Sequence, residues 1–210
     1  MINSVSKSTQ DFFEKSFSSL NLENSRKQLL KQIAIYISNE IRTKNKINLI
    51  FICPDNNIRS QISQVWASYA ADFFNLKNIT CFSGGTNVTC FSRNTVKTLQ
   101  HVGFQFQILE FSHQNPQYSI SYKNCTKPII GFSKLYDNHY NQKPSIAIIT
   151  SSSTEKNHPY ITNSIKHFNL HYINAKQFDS SLYRSEKYLE INQEIAGEIY
   201  FIFKKISELL

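Results

Sequence analysis

Cys53 and Arg59, in the segment Cys53-Pro54-Asp55-Asn56-Asn57-Ile58-Arg59-Ser60, are the residues whose types and spacing could do chemistry. A thiol becomes a useful nucleophile once it ionises, and its free pKa is about 8.5. Inward-facing amides, a helix N-terminus and a guanidinium all favour the thiolate. The same positive concavity suits phosphate or arsenate. The planar fork of Arg59 matches two oxyanion oxygens, which a lysine would not. The Ser60 hydroxyl is placed to donate to the sulfur. Asn56 tolerates the left-handed backbone such loops need, and its amide can fix the loop's shape. Residues 54 to 60 together are the expected phosphate cradle, with the acidic Asp55 side chain facing outward or capping a neighbouring amide. A bare Cys-x5-Arg recurs by chance in many chains. The elements on either side give it weight.

Before the cysteine, Ile47-Asn48-Leu49-Ile50-Phe51-Ile52 reads as a buried strand, and residues 60 to 75 read as a helix. A cysteine at the end of a strand then faces an arginine near a helix start. Further strands are expected at about 78–83, 104–110, 145–150 and 168–173. A short helix covers 93–101, with Gly103 ending it. Tyr118–Tyr122 and Pro128–Phe132 pair as a hairpin. The closing helix runs from Ser185 to Leu209, with Tyr188, Ile191, Ile195, Ile199 and Ile202 on one face. Helices at 8–20 and 24–43 form an N-terminal extension (residues 1–44) on a main domain (45–210). Strands alternating with helices predict a three-layer α/β fold. Its mainly parallel central sheet has about four strands, with helices on both faces. Ligands of such sheets bind beyond the carboxyl ends of the strands, where Cys53, Thr150-Ser151 and Asn174 all fall.

With these residues in place, the chain resembles the low-molecular-weight protein tyrosine phosphatase superfamily, which includes thioredoxin-coupled arsenate reductases. The family's Cys-x-x-Asn-x-x-Arg-Ser is matched by Cys53, Asn56, Arg59 and Ser60. Thr80-Cys81-Phe82-Ser83-Gly84-Gly85-Thr86 looks like its second strand and following turn. Arg93–Gly103 looks like the next helix, and Ser145–Thr150 like the third parallel strand. The likeness covers roughly residues 45 to 208. It is nearer still to a bacterial branch with an N-terminal helical extension and an insert near Tyr118–Asp137. The resemblance implies phosphotyrosine hydrolysis through a cysteinyl-phosphate, with Cys53 as nucleophile and Arg59 as oxyanion clamp.

Two departures follow. The family's general acid is an Asp-Pro pair after the last strand, and here Asn174-Ala175 stands in its place. Asp179 is the alternative proton donor if its loop folds over the pocket; equally, it reads as a cap or turn residue before the last helix. The reductases relay a disulfide through two further cysteines, where this chain has Ser151 and His158. Cys81, Cys90 and Cys125 read as small buried or semi-buried residues. The alternatives to a phosphatase are therefore a non-catalytic phosphate or phosphoprotein binder on a degenerate scaffold, then an arsenate reductase with another electron donor.

The 210 residues, 40% hydrophobic and 13% aromatic, suit one folded core, not a disordered chain. A net charge of +8 favours anionic partners, a phosphorylated protein or a small phosphomonoester. The positive residues are scattered, with no dense basic block and no aromatic-basic signature of a nucleic-acid module. Four irregularly spaced cysteines make neither a disulfide framework nor a zinc site. His167 and His171 have metal-pair spacing but fall at a strand, so no metal is expected. No cofactor is expected, since Gly84-Gly85 is a turn and not a nucleotide fingerprint. The polar N-terminus lacks a signal-peptide core, and no apolar run approaches the ~20 residues of a membrane helix. A thiolate enzyme of this kind is expected in the reducing cytoplasm.

Overall fold

The computed structural model describes residues 9–152 and 164–210. In chain order these form α1 (Thr9–Ser18), α2 (Asn24–Lys44), β1 (Ile47–Ile52), α3 (Arg59–Phe73), β2 (Ile79–Gly84) and α4 (Arg93–His101). There follow β3 (Gln105–Glu110), β4 (Gln117–Ser121), β5 (Ile129–Gly131), β6 (Ile146–Ile149) and β7 (Lys166–Asn169). A 3₁₀ turn (Ala175–Phe178) and α5 (Arg184–Leu209) close the chain. Among the described residues, no helix is long and apolar enough to cross a membrane.

The fold is α/β: a four-stranded sheet in the order β2-β1-β6-β7, every pair parallel, flanked by helices. The central strand β1 is the apolar run read from sequence, buried along almost its whole length. Parallel pairing sends all four carboxyl ends to one edge. Cys53, Gly85, Thr150 and Leu170 therefore emerge side by side.

Alternation along β1 divides the core. Leu49 and Phe51 join Ile146 and Ile148 in the main cluster, with side chains from α2, α3 and α5. On the opposite face Ile50, Ile52 and Ala147 make a smaller cluster with Phe82 and Tyr136. The N-terminal helices share the main core. Phe13 stacks on Trp66 of α3 with ring centroids 5.2 Å apart, and Phe12 stacks on it at 5.6 Å. The Trp66 indole donates to Asn192 Oδ1 of α5 at 2.8 Å. Helix α3, which opens with Arg59 and Ser60, is thereby held on its far side by α1 and α5.

Two expectations are corrected. The last strand spans Lys166–Asn169, not 168–173. Its partner β6 stops at Ile149, so the ladder has nothing to offer beyond Asn169 except two parting bonds, from Leu170 and Tyr172 to Ile149 and Thr150. The apolar alternation of Phe168, Leu170 and Tyr172 continues past the pairing and misleads. The expected hairpin exists as β4–β5, but β3 pairs antiparallel with β4, making a separate three-stranded sheet.

Candidate active site

The loop from Pro54 to Ile58 is held by its carbonyls. Pro54 O accepts from the amides of Thr86 and Asn87, both at 2.9 Å. Asp55 O accepts from the hydroxyls of Thr89 at 3.0 Å and Ser133 at 2.9 Å. Asn56 O takes Gln61 Nε2 at 3.0 Å, and Asn57 O takes the Ser92 amide at 3.1 Å. In a trans peptide the N–H points opposite the preceding C=O. Four carbonyls engaged on the outside therefore turn the amides of Asp55, Asn56, Asn57 and Ile58 inward. None of these four donates to a protein acceptor among the described residues. The turn is possible because Asn56 sits in the left-handed region, φ 46°, which asparagine tolerates.

The Asn56 side chain, fully buried, ties the loop to two other elements. Its Oδ1 accepts from the Lys134 amide at 3.0 Å and from Gln61 Nε2 at 3.1 Å. Its Nδ2 donates to Ser60 Oγ at 2.9 Å. That bond occupies the hydroxyl as acceptor and leaves its proton for Cys53 Sγ, 3.0 Å away. The order Asn56 to Ser60 to Cys53 thus orients one hydroxyl toward the sulfur.

Gly85 allows the close approach of strand β2 to this loop. A Cβ there would lie 2.5 Å from Pro54 O and 2.9 Å from both Cys53 O and Asn56 N. The Gly84-Gly85 pair is therefore more than a turn. Gly84 O receives the Cys53 amide, and Gly85 bonds the chain on both sides of Leu135.

Arg59 is buried and donates through one terminal nitrogen to the Tyr172 carbonyl at 3.2 Å. Tyr172 is itself fixed from behind. Arg26 of α2 donates to the His171 carbonyl at 2.9 Å and holds Glu198 of α5 with two bonds, 2.7 and 2.8 Å. The Arg26 guanidinium also lies over the Tyr172 ring, 5.2 Å from its centroid. Burial works most strongly against the Arg26 charge, but the Glu198 bonds and the charges of Tyr172, Glu198 and Glu194 together outweigh it and raise the pKa. The Tyr172 phenol is pushed well up, first by burial and then by the Glu198 charge.

The expected acid positions lie elsewhere in this network. Asn174 caps the 3₁₀ turn, its Oδ1 accepting from the Lys176 amide at 3.2 Å. Asp179 is half-buried at the end of that turn. Its Oδ1 accepts from the Tyr188 hydroxyl at 2.9 Å and from Asn94 Nδ2 at 3.2 Å. Tyr188 has its pKa raised, first by burial, so it stays the proton donor in that pair. Asn94 lies two residues after Ser92, whose amide holds Asn57, so Asp179 is anchored on the loop's α4 side.

Cys81 is buried, Cys125 half-buried and Cys90, against expectation, exposed. Cys90 stands between Thr89 and Phe91, and it is Phe91 that takes the buried place in the core. Ser151 is buried at the end of β6, and His158 lies outside the described residues. His167 sits in β7 and His171 beyond it, where a four-residue spacing makes no shared helical face.

Sequence reasoning missed Gln61, Ser92, Thr89, Ser133, Lys134 and Tyr172, every one a clasp on the loop or its arginine. Only Gln61 lies near enough in sequence to leave a signal.

No known protein-family profile matches this chain, and no curated protein matches it. Among solved structures it is similar to a low molecular weight phosphotyrosine phosphatase from Vibrio cholerae O395. The identity is 11% and the TM-score 0.40, over 74% of this chain and 93% of that one. It is similar to a thioredoxin-dependent arsenate reductase from Corynebacterium glutamicum, at 15% identity and TM-score 0.44, over 94% of this chain and 83% of that one. It is also similar to a mutant of YwlE from Bacillus subtilis, at 10% identity and TM-score 0.40, over 78% and 97%. Overlaps this loose carry no weight for chemistry.

Proposed function

We propose that this protein hydrolyses phosphate monoesters, phosphotyrosine foremost, through a cysteinyl-phosphate on the Cys53–Ser60 loop. The observation that carries the reading is the engagement of four successive carbonyls by other groups, which leaves the amides of Asp55, Asn56, Asn57 and Ile58 available to an oxyanion next to Cys53. Such preorganised donors stabilise the charge that builds on the equatorial oxygens in the transition state. Arg59 adds two charge-assisted bonds to the same oxygens.

In the first step the Cys53 thiolate attacks phosphorus, a sulfur–phosphorus bond forms, and the ester oxygen leaves with its electron pair. That oxygen takes a proton from Asp179 or from solvent. In the second step water attacks phosphorus, releasing inorganic phosphate and the thiolate. The Ser60 hydroxyl stabilises the departing sulfur. Thiolate chemistry of this kind suits a reducing compartment such as the cytoplasm. Within the proposed extension (residues 1–44), α1 props α3 and α2, through Arg26, props the chain at Tyr172.

One observation favours a second reading, a phosphate or phosphoprotein binder without turnover. Asp179 already holds two partners, and Asn174 caps its own turn. A binder has no use for a thiolate.

The deciding experiment compares p-nitrophenyl phosphate with phosphotyrosine, using wild type, Cys53→Ser and Asp179→Asn. Nitrophenolate leaves unaided, and tyrosine needs a proton. Activity on both substrates that vanishes with Cys53→Ser supports the phosphatase. The absence of Cys53-dependent activity on either, with phosphate affinity kept in Cys53→Ser, leaves the binder.

A further inference from the structure

Behind the loop, between α3, β2 and the β4–β5 hairpin, lies a cavity of about 390 Å³. Ile79, Phe82, Ile129, Phe132 and Tyr140 give it apolar and aromatic walls. Lys134 also lines it, and this lysine is 2% exposed. Its ammonium has three protons to place. It makes one long bond, 3.4 Å to the Phe132 carbonyl, and that carbonyl already takes Gln61 Nε2 at 2.8 Å. The Phe132 ring, 4.5 Å from Nζ, supplies the remaining stabilisation. No carboxylate pairs with Lys134 among the described residues.

Asp72 is the one carboxylate among the described lining residues, and it is taken by the Tyr122 hydroxyl. The other ionisable groups on the walls are Lys77, Cys81, Lys127 and Tyr140. Burial pushes Cys81 and Tyr122 up, so neither supplies an anion near neutrality. The lysine itself is pushed down to about 7 by burial. A buried cation without a partner is costly, and a cavity with convergent polar and apolar character is where a ligand would relieve that cost.

We propose that this cavity is a binding site for a small aromatic carboxylate, whose anion pairs with Lys134 Nζ and whose ring lies among Phe82, Phe132 and Tyr140. The Lys134 backbone joins the site to the loop, since its amide donates to Asn56 Oδ1 and its carbonyl accepts from Gly85. Binding here stands independently of catalysis at Cys53 and survives if the phosphatase reading fails.

The test is a titration of the ¹⁵N-labelled full chain with benzoate and with neutral benzamide, using wild type and Lys134→Met. The expected result is movement of the Thr80, Phe82 and Ile129 amides on adding benzoate. Benzamide, and benzoate with Lys134→Met, should bind at least about tenfold more weakly, the loss of one charge-assisted contact. Equal binding of benzoate and benzamide overturns the site, as does unchanged benzoate binding by Lys134→Met. Shifts confined to residues 55–58 overturn it too, because benzoate then occupies the oxyanion loop. If Lys134→Met fails to fold, the wild-type Lys134 side-chain nitrogen is titrated with and without benzoate. A rise of about one pKa unit or more supports the pairing, and an unmoved titration refutes it.

Discussion

The loop from Cys53 to Ser60 and the segment from Leu170 to Tyr183 meet at Arg59, yet they are built in opposite ways. The loop is clasped through its main chain by Thr86, Asn87, Thr89, Ser92 and Ser133, and its interior side chains are buried. The second segment leaves Ile173, Leu182 and Tyr183 exposed, Leu182 almost completely at 99%. Its polar residues serve their own turn, or, in Asp179, a bond to Tyr188 and Asn94. Oxyanion binding requires donors that do not move as charge develops, and proton delivery requires a group that reaches the leaving oxygen. In the proposed phosphatase the first demand is met by fixed architecture. The second falls on a segment with less to hold it.

The contrast breaks most sharply at Cys53. Cys53→Ser is expected to cut turnover by about 10⁴-fold or more while keeping phosphate affinity within a few-fold, measured by direct titration. A parallel loss of affinity would mean the sulfur builds the cradle as well as attacking. Arg59→Lys should lower kcat by about 10² to 10³, because a single ammonium cannot bridge two oxygens and the Tyr172 carbonyl.

On the other side of the comparison, Asp179→Asn is expected to cost about 10²-fold on phosphotyrosine and almost nothing on p-nitrophenyl phosphate. Equal rates for mutant and wild type on phosphotyrosine would show that Asp179 only anchors its turn. Gly85→Ala tests the clasp itself. A Cβ 2.5 Å from Pro54 O forces the loop and β2 apart, for an expected loss of about 1–3 kcal/mol in denaturant unfolding, together with weaker phosphate binding.

A comparable effect, visible only as a pH dependence, concerns Lys134. Its pKa falls to about 7 on folding, from the ordinary lysine value of 10.5. Between those values the unfolded chain binds more protons, so stability rises with pH. From pH 7 to 9 the gain should be about 2 kcal/mol, and Lys134→Met should lack it. A flat profile in the wild type would mean the lysine reaches a counter-charge or solvent.

How much was legible varied with distance along the chain. The β1 strand, the loop and the start of α3 follow one another directly, so apolar run, special residues and helix were readable in order. The hairpin partners, eight residues apart, were readable too. The β3 pairing with β4 was not, because an alternating strand announces itself without naming its neighbour. The end of β7 depended on where β6 stopped, a fact held in another segment. The type and place of Asn56 mark it as a shaping residue; its bond to the Lys134 amide, 78 residues on, leaves no such mark.

By itself the sequence determined that a cysteine follows a buried strand, and that an arginine and a serine open the next helix after an asparagine-bearing turn. Those are local consequences of residue type and spacing, carried by the chain's own short-range geometry. Only the tertiary structure decided which groups would turn the loop's carbonyls outward, which carbonyl Arg59 would meet, and that Asp179 would be bound to Tyr188. Each of those choices joins residues tens to more than a hundred positions apart. Their meeting is set by how the sheet, the helices and the N-terminal extension pack into one core, and packing leaves no spacing rule in the sequence to read.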